Sequence, residues 1–237
     1  LNDNKLLSKF QSGFRPMHST LTALINIIDN WYVNIDDGLT YAILFTDLKK
    51  AFDTTDHEIL LSKLELYGFK GASLKLFRDY LSDRTQVTVI NNVNSETSLI
   101  NCGLHQGSII DPLLFLLYIN GLPNFNLLSD VRMYADDTNL TFASEELFSP
   151  LTKDLGNLKQ WLDSNHLSLN VLRKKCLFTA RGRKSFSSLV NPKYTLTGIQ
   201  LKQSIVTNTL AFRLMKHSRG RIASLKSSVK LVKYLLS

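Results

Sequence analysis

The chain of 237 residues contains little cysteine and no long apolar run. Its two cysteines, Cys102 and Cys176, cannot build a disulfide framework or a zinc ligand set, so we expect buried, reduced thiols. No stretch approaches the roughly 18 uninterrupted apolar residues that a membrane-spanning helix needs, and no signal peptide is recognisable. These absences argue against a disulfide-rich secreted protein and against an α-helical membrane protein.

Acidic residues are absent from the last third of the chain. Up to Asp163 there are 20 acidic and 13 basic residues, a net charge of −7, whereas the last 74 residues carry 15 basic residues and no acidic one. Such a segment is typical of a polyanion-binding surface, but also of a solvated tail or a segment on a membrane surface. The apolar fraction of 44% is that of a globular protein with a sizeable core.

Two adjacent acids lie between short apolar runs. Asp136 and Asp137 separate the runs at 131–133 and 140–142, which predicts a β-hairpin with both acids at its tip. Asp is a common turn residue, so a solvated turn explains the pair in isolation. Adjacent carboxylates repel each other, however, and a divalent cation would neutralise their charge. The pair is therefore a candidate metal site.

A third acid ends a predicted strand. The apolar, aromatic and β-branched run at 41–46 predicts a buried strand that ends at Asp47. An acid in that position is paired, binds a metal or caps the next helix. Residues 48–61 can continue as a helix, so capping and metal binding by Asp47 are both open.

The rest of the chain alternates between helical and strand-like patterns. Apolar spacing predicts helices near 21–32, 56–67, 72–81, 112–119 and 145–164. Strands are predicted near 85–90, 98–102, 175–179 and 194–201. Together these elements predict an α+β fold in which the three acids meet on one side of a sheet.

Five motifs follow one another along the chain. They read Gln-Ser-Gly-Phe-Arg at 11–15, Asp-Leu-Lys-Lys-Ala-Phe-Asp at 47–53, Gly-Leu-His-Gln-Gly-Ser at 103–108, Tyr-Ala-Asp-Asp at 134–137 and Leu-Ser-Leu-Asn at 167–170. In this order they resemble the fingers motif and the four palm motifs of reverse transcriptases from non-LTR retrotransposons of the jockey-like and LINE-type kind. The resemblance covers roughly residues 11–205, and an ordered series is far more specific than any single motif.

The resemblance implies a right-hand polymerase fold, with an antiparallel palm sheet packed on helices, partial fingers and an incomplete thumb. It implies a fingers and palm unit over 1–206, with fingers segments at about 1–40 and 70–102. The basic segment 207–237 would be a partial, thumb-like or degenerate tail. Compared with the family, the chain begins within the fingers and lacks the hairpin that grips the primer. We therefore expect a chain truncated at both ends.

The implied activity is RNA-directed DNA polymerisation, in which a primer 3′-hydroxyl attacks the α-phosphate of a deoxynucleotide and an RNA template is copied. Two Mg²⁺ ions, or Mn²⁺ in their place, would activate the nucleophile and stabilise the leaving oxygens. The resemblance makes Asp47 and Asp136 the bridging ligands and Asp137 the third acid. It also makes the backbone carbonyl of Leu48 a further oxygen ligand.

Other residues take a role from the resemblance alone. Phe52 would lie under the sugar and exclude a 2′-hydroxyl group. Gln106 and Gly107 would pack against the nucleotide, and Arg15 would reach the triphosphate or the template. From the residues themselves, a core aromatic, a plain turn and a surface arginine explain these positions as well.

Basic residues complete the predicted site. Arg173, Lys174 and Lys175 follow the fourth palm motif, where the family usually has a lysine proposed to protonate the leaving pyrophosphate. Arginine is a poor proton donor, so Lys174 or Lys175 would take that role, although a solvated basic run is an equal explanation. The residues expected to bind nucleic acid are Arg181, Arg183, Lys184, Lys216, Arg219 and Arg221.

Some positions depart from the family pattern. His105 replaces the usual proline, Asp111 replaces a glycine, and Gly121 stands where many relatives have an acid. These departures leave an alternative, a catalytically inactive remnant that keeps the fold and only binds nucleic acid. Another palm polymerase, such as a group II intron enzyme or an RNA-dependent RNA polymerase, is a weaker interpretation, since Phe52 argues against ribonucleotides.

The expected partners are an RNA template, a DNA primer and deoxynucleotides, with no membrane. We expect an intracellular protein, but the basic run at 181–184 is too weak a nuclear signal to separate nucleus from cytoplasm. The sequence gives no indication of an oligomeric state.

Overall fold

The computed structural model describes residues 6–37, 39–105, 107–144, 148–170 and 175–179. Its helices are α1 (Thr20–Asp36), α2 (His57–Leu66), α3 (Ala72–Leu81), α4 (Asp111–Ile119) and α5 (Phe148–Ser164). Its strands are β1 (Thr40–Thr46), β2 (Arg84–Gln86), β3 (Val89–Ile90), β4 (Val93–Asn94), β5 (Ser98–Ile100), β6 (Asp130–Tyr134), β7 (Asp137–Ser144) and β8 (Lys175–Thr179). Among these residues, no helix combines the length and the apolar character that crossing a bilayer requires.

The main sheet is antiparallel and has the strand order β6-β7-β1-β8. Strand β1 is buried on both faces, as its continuous apolar run predicts. Ala42 and Leu44 face the main core, while the Tyr41 ring stacks on Trp31 of α1 on the other face, with ring centroids 6.3 Å apart. The central strand that ends at the predicted acid is therefore held rigidly from both sides.

Helix α4 forms the middle of the main core. Every residue from Leu114 to Ile119 is buried, which is expected of a helix that is apolar on all its faces. Pro112 lies in its first turn, where the missing backbone N–H is not needed. Helix α2, helix α5 and one face of the sheet pack around α4, so the sheet and the helices share a single core.

The prediction that a helix follows directly from Asp47 was wrong. Residues 49–54 form turns, and Lys50 has a left-handed backbone with φ of 50°, which an α-helix cannot contain. Helix α2 begins only at His57, where the Asp56 side chain accepts a hydrogen bond from the backbone N–H of Ile59 at 3.0 Å. Asp47 is therefore not a helix cap, which removes one of its two interpretations.

Two short hairpins extend from the segment between α3 and α4. β2 pairs with β5 and β3 pairs with β4, both antiparallel. Asn91 and Asn92 connect β3 to β4 with φ of 50° and 64°, the pair of positive values that a type I′ turn needs. The strand predicted near 98–102 is thus present as β5, whereas the single strand predicted near 85–90 is divided into β2 and β3, which pair with different partners.

The α+β class and the antiparallel sheet packed on helices are confirmed. The helix predicted near 145–164 is α5, and the strand predicted near 175–179 is β8. The strand predicted near 194–201 and the thumb-like tail at 207–237 lie outside the described residues. The expectation of buried thiols was wrong for Cys102, which is exposed.

Candidate active site

Strand pairing brings the predicted acids to the same end of the sheet. The last pair between β1 and β7 is Thr46 with Thr138, so Asp47 and Asp137 lie one residue beyond it on the two neighbouring strands. Asp136 lies in the turn between β6 and β7, immediately before Asp137. A strand end and a hairpin turn that are 89 positions apart in sequence thus form one surface.

The environment of Asp136 disfavours its negative charge. Burial raises the pKa of the Asp136 carboxyl above its ordinary value, a hydrogen bond from its own backbone N–H lowers it, and the negative charge of Asp47 raises it further. A cation beside both carboxylates would relieve that penalty. The environment of the pair therefore fits a positively charged ligand.

The fourth palm motif holds Asp47 in place. The Asn170 side-chain amide donates to Asp47 Oδ2 at 2.9 Å, and the Asn170 backbone N–H donates to the Asp47 carbonyl at 2.8 Å. Leu48 pairs with Leu169 in an antiparallel bridge. Because carbonyls alternate in direction along an extended chain, the Leu48 carbonyl is directed away from Leu169, toward the β7 side. The role of the Leu48 carbonyl as an oxygen ligand stays a prediction.

The three acids do not form a closed group. In the parts of the chain that the structure describes, no three His, Cys, Asp or Glu side chains are arranged to hold a metal ion. Asp137 is exposed, whereas Asp47 and Asp136 are half-buried. The donors near this end of the sheet are carboxylate and carbonyl oxygens, which are the ligands that hard divalent cations prefer. The chemistry of these donors therefore suits such a cation, and its binding by Asp47 and Asp136 stays a prediction.

Phe52 lies at the edge of the main core. Its ring stacks on Phe115 of α4, with centroids 4.5 Å apart, and meets the ring of Phe14 edge-on at 6.4 Å. Phe52 is half-buried and Phe14 is largely exposed. The ring is thus fixed by packing, which suits both a core aromatic and a rigid wall against a sugar.

Arg15 lies against its own loop. Its guanidinium Nη1 donates to the carbonyls of Ser8 at 2.9 Å and Gln11 at 3.1 Å. This placement gives the arginine a structural role that the sequence did not indicate, and its contact with a triphosphate or template stays a prediction.

The loop before α4 is fixed by the two departures from the family pattern. The backbone N–H of His105 donates to Asp111 Oδ2 at 2.6 Å, and the Tyr80 hydroxyl donates to Asp111 Oδ1 at 3.0 Å. Arg84 Nε donates to His105 Nε2 at 3.2 Å. Proline at 105 would have no N–H to donate, and glycine at 111 would have no carboxylate to accept it. The two departures therefore belong to one structural unit.

The hydrogen bonds of His105 and Asp111 hold the two ends of the loop that is predicted to contact the nucleotide. Gly107 has φ of +102° and open space where a side chain would be, a conformation that favours glycine. Gln106 lies outside the described residues, as do Arg173, Lys174 and the six residues expected to bind nucleic acid. Lys175 belongs to β8 by its backbone.

Sequence reasoning missed the residue that holds the acid hairpin. Gln11 is 1% exposed, and its side-chain amide forms hydrogen bonds with both the N–H and the carbonyl of Ala135, the residue before Asp136. In the sequence, Gln11 stands out only as part of the fingers motif. Its wide separation from Ala135 along the chain left no local pattern, so the motif itself was the available signal.

The order of the elements and of the motifs is that of the reverse transcriptase class of proteins. Residues 1–226 match the model of the family described as reverse transcriptase (RNA-dependent DNA polymerase), and the chain belongs to this family.

Two relatives come from mobile elements of Drosophila melanogaster. The probable RNA-directed DNA polymerase from transposon BS is 27% identical over 226 residues, which are 91% of this chain and 24% of the relative. The RNA-directed DNA polymerase from mobile element jockey is 27% identical over 183 residues, which are 73% of this chain and 20% of the relative. The chain thus spans about a fifth to a quarter of the length of these relatives, and the resemblance to the jockey-like family is confirmed.

Solved structures support the fold. Telomerase from Candida tropicalis, in complex with a fragment of telomeric RNA, has a TM-score of 0.57 at 10% identity, over 73% of this chain and 31% of the telomerase chain. An apo form truncated from the C-terminal domain has a TM-score of 0.58, also at 10% identity, over 75% of this chain and 38% of that chain. The polymerase palm with partial fingers is therefore the fold of this chain.

Proposed function

We propose that this chain forms the fingers and palm of a retrotransposon RNA-directed DNA polymerase, which adds deoxynucleotides to a primer 3′-hydroxyl while it copies RNA. The observation that carries the proposal is the strand pairing of Thr46 with Thr138, which brings Asp47 to the hairpin turn that carries Asp136 and Asp137. Membership of the reverse transcriptase family supports the same reaction.

The three acids would bind the divalent cations from different positions. Asp47 and Asp136 would hold divalent cations between the strand end and the hairpin turn, with the Leu48 carbonyl and Asp137 as further oxygen ligands. Two bound Mg²⁺ ions, or Mn²⁺ in their place, would supply activation of the primer hydroxyl and charge stabilisation on the pyrophosphate that leaves. Asn170 orients the Asp47 carboxylate through its hydrogen bond to Oδ2.

The remaining predicted residues would bind the substrates. Phe52 would pack against the sugar, Gln106 and Gly107 against the nucleotide, and Arg15 against the triphosphate or template. Lys174 or Lys175 would donate the proton to pyrophosphate, and Arg173 would stabilise its charge.

We assign the fingers and palm to residues 1–206 and a basic, thumb-like tail to 207–237. Template and primer would be held mainly by the basic part of the chain. The residues assigned to this contact are Arg181, Arg183, Lys184, Lys216, Arg219 and Arg221.

Primer extension on an RNA template tests the proposal. The full chain should incorporate deoxynucleotides with Mg²⁺ and not with a chelator, and Asp136→Asn should lose most of that activity because the electrostatic contribution dominates this chemistry. Asp130→Asn is a matched control, since Asp130 lies on the same hairpin at the far end of β6. Equal incorporation by the parent and Asp136→Asn would contradict the metal assignment.

The inactive remnant is the alternative outcome of the same assay. A chain that binds a primed RNA template but incorporates nothing with either Mg²⁺ or Mn²⁺ would show that the fold is kept without the chemistry. Binding is measured in the same samples, so the two outcomes separate clearly.

A further inference from the structure

The turn that carries Asp136 has an unfavourable backbone conformation. Ala135 has φ of 55°, in the left-handed region that residues other than glycine rarely adopt. Ala135 is also buried, so its backbone N–H and carbonyl need partners inside the protein. The turn therefore depends on something outside the hairpin.

The side chain of Gln11 supplies both partners. Its Oε1 accepts hydrogen bonds from the Ala135 N–H at 2.9 Å and from the Gly13 N–H at 2.7 Å, and its Nε2 donates to the Ala135 carbonyl at 3.2 Å. One side-chain amide thus binds both peptide groups that flank Ala135. The second of these peptide groups joins Ala135 to Asp136, so the contact fixes the backbone immediately before Asp136.

The segment that contains Gln11 lies on the open edge of β6. The Ser12 N–H donates to the Met133 carbonyl at 2.8 Å, and the Met133 N–H donates to the Phe10 carbonyl at 2.8 Å. A Cβ atom on Gly13 would lie 2.2 Å from the backbone nitrogen of Ala135. Only glycine allows this approach, so Gly13 and Gln11 act together on the same turn.

We propose that Gln11 is a positioning residue, which clamps the backbone of Ala135 and so aims the Asp136 carboxylate at the cation site shared with Asp47. Gly13 provides the space that this clamp requires. The inference rests on the proposed function, because it concerns the same cation site. It predicts that a residue without any contact with substrate controls metal affinity.

Two variants weaken the clamp, and one serves as a control. Gln11→Leu removes the three hydrogen bonds while keeping the bulk, and Gly13→Ala forces the segment away from the turn. Asn120→Leu is the matched control, because Asn120 anchors the same segment through the Ser8 N–H at 2.7 Å and the Leu6 carbonyl at 2.8 Å. The control loosens the segment without removing a bond to Ala135.

Binding of Mn²⁺ to the full chain, measured by titration calorimetry, gives a readout that does not need polymerase activity. Gln11→Leu and Gly13→Ala should each weaken Mn²⁺ binding roughly 10–100-fold, the usual effect of losing a residue that orients a metal ligand. Asn120→Leu should lower the melting temperature but leave Mn²⁺ affinity near that of the parent. Amide hydrogen exchange at Ala135 should accelerate in Gln11→Leu and not in the control.

The outcomes separate this inference from the proposed function. If Asp136→Asn binds Mn²⁺ as tightly as the parent, the cation site itself is wrong and the inference falls with it. If Asp136→Asn loses Mn²⁺ but Gln11→Leu loses no more affinity than Asn120→Leu, Gln11 is only structural and the inference alone is overturned. Should Gln11→Leu not fold, Gly13→Ala decides between the same outcomes.

Discussion

At the scale of single residues, Asp136 carries a charge that the folded protein disfavours. Burial, and then the charge of Asp47, raise its pKa above the ordinary value of 3.8, so the folded state binds the proton more tightly than the unfolded state does. Stability therefore falls as pH rises from 3.8 through the raised pKa. A residue kept in spite of this penalty is typical of a functional site rather than of a stabilising one.

We expect Asp136→Asn to be more stable than the parent at neutral pH when divalent ions are absent. The difference should shrink as pH falls to about 4, where the carboxyl of the parent becomes neutral as well. Thermal unfolding across this pH range, with chelator present, measures it. Added Mn²⁺ should then stabilise the parent and not the variant. A variant less stable than the parent throughout would contradict the assigned cause.

His105 and Asp111 form a second pair whose contributions depend on each other. Asp111→Gly should destabilise the fold by about 2–4 kcal/mol, because the His105 N–H and the Tyr80 hydroxyl lose a buried, charged acceptor. His105→Pro should cost about 1–3 kcal/mol, because it removes one donor from that carboxylate.

The double variant His105→Pro with Asp111→Gly restores the usual family residues and should cost less than the sum of the single changes. A coupling of about 1 kcal/mol or more is expected for residues in direct contact, and urea unfolding of the four proteins measures it. Tyr80→Phe in place of His105→Pro tests the other donor to the same carboxylate. Strict additivity would show that the two departures are unrelated.

At the scale of elements, Lys63 connects α2 with α4 and with the end of α5 through hydrogen bonds. It lies on α2, and its ammonium group donates to the Tyr118 carbonyl of α4 and to the Asn165 side chain just after α5. The same group lies 4.3 Å from the centroid of the Tyr118 ring and 5.2 Å from that of Trp161. Burial lowers the pKa of Lys63 from 10.5 to about 8.

The lowered pKa of Lys63 predicts how the stability of the fold changes at alkaline pH. Between about 8 and 10.5 the unfolded state binds more protons at Lys63 than the folded state, so its contribution to stability rises with pH, by about 3 kcal/mol at most. Lys63→Met should lack that rise when unfolding free energies are compared across the range. Lys70→Met, at an exposed position, should follow the parent. The prediction would be contradicted if the unfolding free energy of Lys63→Met rose with pH as much as that of the parent.

Elements with a strong local pattern could be predicted from the sequence. The apolar run of β1, the Pro112 start of α4 and the hairpin around Asp136 each follow from neighbouring residues, and each is present. The turns after Asp47 were not predicted, because the Lys49 N–H is held by the Ser168 carbonyl, far away in sequence. Such a contact has no signature near Lys49.

The candidate site, like the fold, could be predicted from the sequence only in part. The motifs predicted which acids approach each other, and strand pairing explains why Asp47 and Asp136 do. The clamp of Gln11 on Ala135 joins residues 124 positions apart, so periodicity and turn rules do not reveal it. The compensation between His105 and Asp111 was also hidden, because each residue alone looked like a departure.

At the scale of the whole molecule, the separation of charge has a measurable consequence. A chain with 15 basic and no acidic residues after Asp163 should bind nucleic acid largely through released counterions. The logarithm of the affinity should then fall linearly with the logarithm of salt concentration, by about 0.7–0.9 for each phosphate neutralised. Sequence preference should be small, because contacts to phosphate carry no base information.

Removing two basic residues from this segment should change that slope. Arg181→Ala with Arg183→Ala should make it shallower by about 1.4–1.8, since two phosphate contacts are lost. Lys153→Ala with Lys159→Ala is the control for net charge, because both lysines lie on α5 and Lys159 already pairs with Asp163 at 2.5 Å. Fluorescence anisotropy of a labelled RNA–DNA hybrid at several salt concentrations measures both slopes. Equal changes in the two variants would mean that overall charge, and not the basic segment, sets the affinity for nucleic acid.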